Sequence, residues 1–135
     1  MGYLFDTDVL SAVLRRDPPL ALIRRLAQVS PDEQFTTSIT LGELLYGAAR
    51  RESLTLARRA RGLVSRLVEV LPFDAEAAEV YAEVRARLEA GGQPLAEPDL
   101  RIASISLARD LTLVTGNVRH FRRVPELAVE NWLLG

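Results

Sequence analysis

Four polar positions in this chain sit where an apolar core is normally built. Asp6 closes the apolar run Gly2 to Phe5. Glu43 lies in Ile39-Thr40-Leu41-Gly42-Glu43-Leu44-Leu45-Tyr46-Gly47, among residues otherwise apolar or small. Asp99 opens an apolar segment containing Ile102, Ala103, Ile105 and Leu107, and Thr115-Gly116-Asn117 follows Leu111 to Val114. A charge at the edge of a core costs roughly several kcal/mol unless something compensates it. Each position has an ordinary explanation by itself: Asp6 or Thr7 as a helix cap, Glu43 as an exposed helical acid, Asp99 as an acid favoured by a helix dipole, Asn117 as a turn residue. Acids in buried surroundings usually need a cation, and Asp6, Glu43 and Asp99 together suit a hard divalent ion, Mg²⁺ or Mn²⁺, bound with several waters. That chemistry favours phosphates, because such an ion acidifies a bound water and neutralises a phosphodiester.

Composition narrows the alternatives. The chain has 135 residues, no cysteine and a single histidine, so thiolate zinc sites, disulfides, cysteine nucleophiles and multi-histidine metal sites are excluded. His120, in Val118-Arg119-His120-Phe121, reads as a surface or capping residue rather than a general base. There is no G-x-S-x-G motif and no Gly-rich phosphate loop. The net charge of −1 gives no global attraction to nucleic acid. All 17 basic residues are arginine, a side chain suited to bidentate phosphate contacts, although codon usage alone produces the same bias. No apolar run approaches membrane-spanning length and no secretory signal is evident, so the expected location is the cytoplasm, with no membrane partner.

The elements that must position these residues follow from periodicity and punctuation. Gly2 to Phe5 reads as a buried strand and Thr7 to Leu14 as a helix halted before Pro18-Pro19; a second helix runs to about Val29. Gln34 to Thr37 is a strand, and Ser38 or Thr40 caps a helix through Glu43 to about Arg51. Ala57, Ala60, Val64, Leu67 and Leu71 keep helical spacing on one face. Asp74 caps a helix with the stripe Ala77, Val80, Tyr81, Val84 and Leu88, stopped by Gly91-Gly92. Pro98 suits the first position of a buried helix from about Asp99 to Arg109. Leu111 to Val114 is a strand, Asn117 to Arg122 a turn of helix, and Leu127 to Glu130 a last strand. Strands separated by helices, without hairpin signals, predict a short, mostly parallel sheet covered on both faces: an α/β fold, a three-layer α/β/α sandwich forming one domain over residues 1–135. Ligands of such sheets bind outside the carboxyl ends of the strands, where Asp6, Glu43, Asp99 and Thr115-Gly116-Asn117 could meet.

Asp6-Thr7-Asp8-Val9-Leu10-Ser11, Gly42-Glu43-Leu44-Leu45-Tyr46-Gly47, Asp99-Leu100-Arg101-Ile102-Ala103 and Leu113-Val114-Thr115-Gly116-Asn117-Val118-Arg119-His120-Phe121, in this order and spacing, resemble the PIN-domain ribonucleases. The closing Arg123-Val124-Pro125 through Glu130-Asn131-Trp132 is similar to the end of VapC-type toxins of toxin–antitoxin modules, so the resemblance covers nearly the whole chain. It implies a PIN-like fold, Mg²⁺- or Mn²⁺-dependent endonucleolytic cleavage of RNA, homodimerisation, and inhibition by a small cognate antitoxin protein. Carried over, Asp6, Glu43 and Asp99 are metal ligands and Thr115 a supporting polar residue. Asn117 stands where many PIN domains place a fourth acid, which puts a second metal in doubt. Asp8 is read as a first-turn helical residue rather than a catalytic one.

Two other readings fit part of the pattern. Asp6-Thr7-Asp8-Val9 after an apolar strand also matches the D-x-D signature of haloacid-dehalogenase-like phosphatases, with Asp6 as nucleophile and Asp8 as acid. That family usually holds its phosphoryl group with a lysine, and this chain has none. A non-catalytic interaction module, whose acids only cap helices, is the non-enzymatic alternative.

Overall fold

The computed structural model describes residues 2–67 and 69–134, with backbone only at Leu67. Five strands form a single sheet of order β3-β2-β1-β4-β5: β1 (Tyr3–Phe5), β2 (Gln34–Thr37), β3 (Glu69–Leu71), β4 (Thr112–Val114) and β5 (Val129–Glu130). Every pairing is parallel. Among the described residues seven α-helices cover it: α1 (Thr7–Val13), α2 (Leu20–Gln28), α3 (Ser38–Arg50), α4 (Leu54–Leu67), α5 (Ala75–Ala90), α6 (Glu97–Ala108) and α7 (Val118–Phe121).

The pleat of the strands sorts the core into two layers. Successive side chains of a strand point to opposite faces. Leu4 and Leu113 accordingly pack with α5, α6 and α7, against Leu88, Ile102, Ile105 and Phe121. Their neighbours Phe5 and Val114 pack on the other face, with Val9, Leu22, Leu44, Val64 and Trp132. The two central strands are apolar on both faces because helices cover both faces, as the apolar runs predict.

Caps fix the element boundaries. Asp6 is the N-cap of α1, accepting from the Val9 N–H at 3.0 Å, and Asp74 caps α5 by accepting from Ala77 N–H at 3.0 Å. The cap of α3 is Thr37, before both of the expected candidates, Ser38 and Thr40, and its hydroxyl accepts from Thr40 N–H at 3.0 Å. α6 starts at Glu97, which places Pro98 second rather than first. A larger departure concerns Leu71, expected on the helical face that carries Ala57, Ala60 and Val64. It belongs to β3, paired with Thr37 of β2; the helical spacing persists across the break by coincidence of three residues, and the side chain of Leu67 lies outside the described residues.

The chain's end closes over the first strand. Trp132 is buried against Tyr3 and Phe5, with ring centroids 5.0 and 5.4 Å away. The Arg25 guanidinium lies 4.5 Å from the indole centroid and 3.1 Å from Glu130. Leu133 then lies so close to the loop after β4 that a Cβ on Gly116 would approach its Cδ1 to 2.7 Å, and the leucine side chain would have to shift to admit one.

Candidate active site

The strand order reverses direction between β1 and β4. Chain progression runs outward from β1 to β2 and β3 on one side, then returns to β4 and β5 on the other. At such a switch point the loops leaving the two central strands part and leave a crevice at their carboxyl ends. Asp6 follows β1 there, and Thr115 follows β4. The Asp6 N–H donates to the Val114 carbonyl at 3.2 Å, tying the two loops together.

Around this crevice the sheet edge gathers the acids expected from sequence. Asp6 is 4% exposed. Burial pushes its pKa up to about 7, against the pull of the Thr115 hydroxyl and the Val9 N–H, and the charges of Asp8 and Asp99 add to the rise. Asp99, in the first turn of α6, is half-buried; burial raises its pKa too, the charges of Glu43 and Asp8 raise it further, and His120 opposes them. Glu43, on α3, accepts a hydrogen bond from the Thr7 hydroxyl at 2.5 Å. Asp6, Glu43 and Asp99, from three separate segments, thus share one electrostatic neighbourhood, and Thr115, fully buried, faces it. Asn117 sits at the N-terminus of α7, its N–H donating to Thr115 Oγ1 at 2.9 Å while its side-chain oxygen meets His120 Nδ1.

Three residues matter more here than their sequence context suggested. Thr7 spans the gap between the first acidic segment and Glu43, and its Oγ1 also lies 3.3 Å from the Thr40 hydroxyl. Asp8 is exposed on the first turn of α1, yet its charge is felt at both Asp6 and Asp99. His120 is tied to Asn117 and its charge is felt at Asp99, so it belongs to the rim of the site. The Asp6-Thr7-Asp8 run carried this signal: a hydroxyl between two acids right after a strand.

The donor set suits a hard divalent cation: carboxylates, hydroxyls and an amide, with no thiolate available. Burial that disfavours the charged forms of Asp6 and Asp99 is what a cation would offset. As the side chains lie, no three acidic or imidazole groups among the described residues are disposed to ligate one ion.

An all-parallel α/β sheet with carboxylates, hydroxyls and an amide at its switch point places this chain among the α/β proteins whose crevice offers hard oxygen donors. Comparison narrows that class: the PIN domain family model matches residues 3–127, and the chain belongs to this family. It is 35% identical over 135 residues to the tRNA(fMet)-specific endonuclease VapC of Salmonella typhimurium, covering 98% of each chain. It is 30% identical over 133 residues to ribonuclease VapC2 of Rickettsia felis, again with 98% of each covered. The structure of VapBC2 from Rickettsia felis bound to a DNA fragment from their promoter superposes with a TM-score of 0.89 at 29% identity, over 98% of this chain and 99% of that one. The D-x-D phosphatase reading of Asp6 and Asp8 gives way to this membership.

Proposed function

We infer that this chain is a divalent-metal-dependent endoribonuclease and the toxin of a toxin–antitoxin pair. The observation that carries the reading is the convergence of Asp6, Glu43 and Asp99 at the switch point of a PIN domain that matches VapC ribonucleases along its whole length. Asp6, Glu43 and Asp99 would hold the Mg²⁺ or Mn²⁺. The bound ion would supply an acidified water and neutralise phosphodiester charge. The chain's own groups prepare that chemistry. Thr115 and the Val9 N–H hold the Asp6 carboxylate in one orientation and favour its charged form. Thr7 fixes Glu43. Asn117 contributes a neutral carbonyl at the rim where a fourth acid would add charge, and His120 restrains it. The partners implied are an RNA substrate, a small antitoxin protein and a second copy of this chain in a homodimer. Among the described residues no helix is long and apolar enough to cross a membrane.

The test is cleavage of RNA by the purified chain with Mn²⁺, with Mg²⁺ and with chelator, alongside growth of cells expressing it without an antitoxin. Cleavage that persists unchanged in chelator would refute metal dependence; full activity in vitro with normal growth would refute the toxin role while leaving the nuclease.

A further inference from the structure

The acidic crevice opens on one side into a cleft of about 300 Å³ between α1, α3 and α4, and Glu43 is part of its wall. Farther along, the same cleft is lined by Arg15, just after α1, by Gly47, and by Arg51 at the end of α3, with Leu14, Leu44 and Leu56 forming an apolar floor between them. Both arginines are exposed, and among the described residues neither guanidinium has an ion-pair or hydrogen-bond partner, as is true of several other surface arginines; what sets these two apart is their place on the wall that Glu43 shares. Helical geometry explains the line-up: Glu43, Tyr46, Gly47, Arg50 and Arg51 are spaced by three, four, seven and eight residues from Glu43 and share one face of α3.

Gly47 leaves the backbone of α3 bare on the cleft side. Glycine inside a helix is destabilising relative to alanine. A Cβ at Gly47 would meet nothing within 4 Å, so no packing inside this chain requires glycine there. The bare backbone suits close approach of something outside the chain. Tyr46, 63% exposed, stands beside it with the Arg50 guanidinium 5.9 Å from its ring centroid, an aromatic platform of the kind on which unpaired bases stack.

Resting on the ribonuclease reading, we propose that a single-stranded RNA segment flanking the scissile bond runs from Glu43 along α3 over Gly47, with its phosphate held by Arg15 and Arg51. Continuity with the acidic crevice and two unpaired guanidiniums favour a phosphodiester strand over a protein segment. Arginine's planar fork matches phosphate oxygens bidentately.

The experiment measures Mn²⁺-dependent cleavage of a randomised single-stranded RNA pool and of total cellular RNA, tRNA included, by wild type, Arg15→Gln, Arg51→Gln and Gly47→Ala, with Arg58→Gln on α4 as a charge-matched control. Arg15→Gln and Arg51→Gln should each raise KM about tenfold with a much smaller change in kcat, and each should lower the dependence of log(kcat/KM) on log salt by about one contact. Gly47→Ala should raise KM while its melting temperature holds or rises. The control should do neither. Unchanged KM and salt dependence in both arginine variants, beside an active wild type, overturn the proposal. So does a loss that only follows a lowered melting temperature, which would assign the arginines to stabilising helix ends. Unchanged KM with lost binding of a co-expressed antitoxin, or lost dimerisation, would overturn it in favour of a protein occupant. A wild-type chain that cleaves no RNA instead overturns the ribonuclease reading itself.

Discussion

Glu97 and Asp99 are two residues apart in the first turn of α6, yet their surroundings are opposite. Glu97 faces solvent, where the Tyr81 hydroxyl donates to it at 2.7 and 2.8 Å and Arg85 and Arg101 each approach within 3.2 Å. The Tyr81 hydrogen bond and the two guanidiniums hold its pKa below the ordinary carboxylate value. Asp99 faces the crevice, where burial, Glu43 and Asp8 push its pKa the other way. One acid is satisfied by its own chain; the other is left with a demand for positive charge. Perturbation by burial and like charges in a crevice is the pattern that functional acids share, whereas surface cations perturb acids of any kind, and this is why Asp99 rather than Glu97 is the candidate.

The largest expected effect tests that contrast directly. Asp6→Asn, Glu43→Gln and Asp99→Asn should each lower metal-dependent RNA cleavage more than about a thousandfold, or roughly 4 kcal/mol of barrier, while Glu97→Gln leaves it within about twofold. Any one of the three cleaving at the wild-type rate would remove that residue from the site. Since each substitution relieves repulsion among carboxylates, melting temperatures in chelator should hold or rise.

Stability against pH gives the next effect. Folded, Asp6 keeps its proton up to about pH 7, while its ordinary value is 3.8, so the folded state binds the extra proton in between. The metal-free chain should therefore be most stable at acid pH on this account and lose up to about 4 kcal/mol as pH rises from about 4 to about 7. Asp99 acts in the same direction. Denaturant melts in chelator at about pH 4 and about pH 8, which bracket that window, should show the fall in wild type and a smaller one in Asp6→Asn. Equal slopes would mean that Asp6 is charged in the folded chain throughout.

A smaller effect is expected at the rim. Asn117→Asp adds a negative charge to this acidic rim, and at an effective dielectric near 20 two like charges about 8 Å apart repel by about 2 kcal/mol. The variant should melt lower than wild type in chelator and gain more from Mn²⁺, since ligand linkage returns stability to the state that binds the ion. Equal Mn²⁺-induced shifts in the two proteins would place Asn117 outside the ion's reach. The smallest effect belongs to the solvent-facing network: Arg101→Ala and Arg85→Ala should scarcely move the melting temperature or the cleavage rate, as exposed ion pairs contribute little. A marked loss of cleavage in either would blur the distinction between the two faces of α6.

What could be read from the chain alone was local. Asp6 and Asp74 as caps and Gly91 as the stop of α5 depend on hydrogen bonds that reach only three or four residues along the backbone, so residue type and position suffice. The apolar runs of β1 and β4 likewise announced a sheet covered on both faces, and the acids that followed Phe5 and opened α6 stood out because their neighbours were apolar. Tertiary structure alone decided the rest. β3 was hidden because three residues are too few for a period of two to be told from a helical spacing, and Leu71 became a strand residue only by pairing with β2. Thr7 and Glu43 are 36 positions apart, and nothing in either segment announces the hydrogen bond between them. The directions in which Glu97 and Asp99 titrate could not be told from two acids in one turn of helix. Those directions depend on charge and burial summed over space, and the order β3-β2-β1-β4-β5 is what sets which segments share that space.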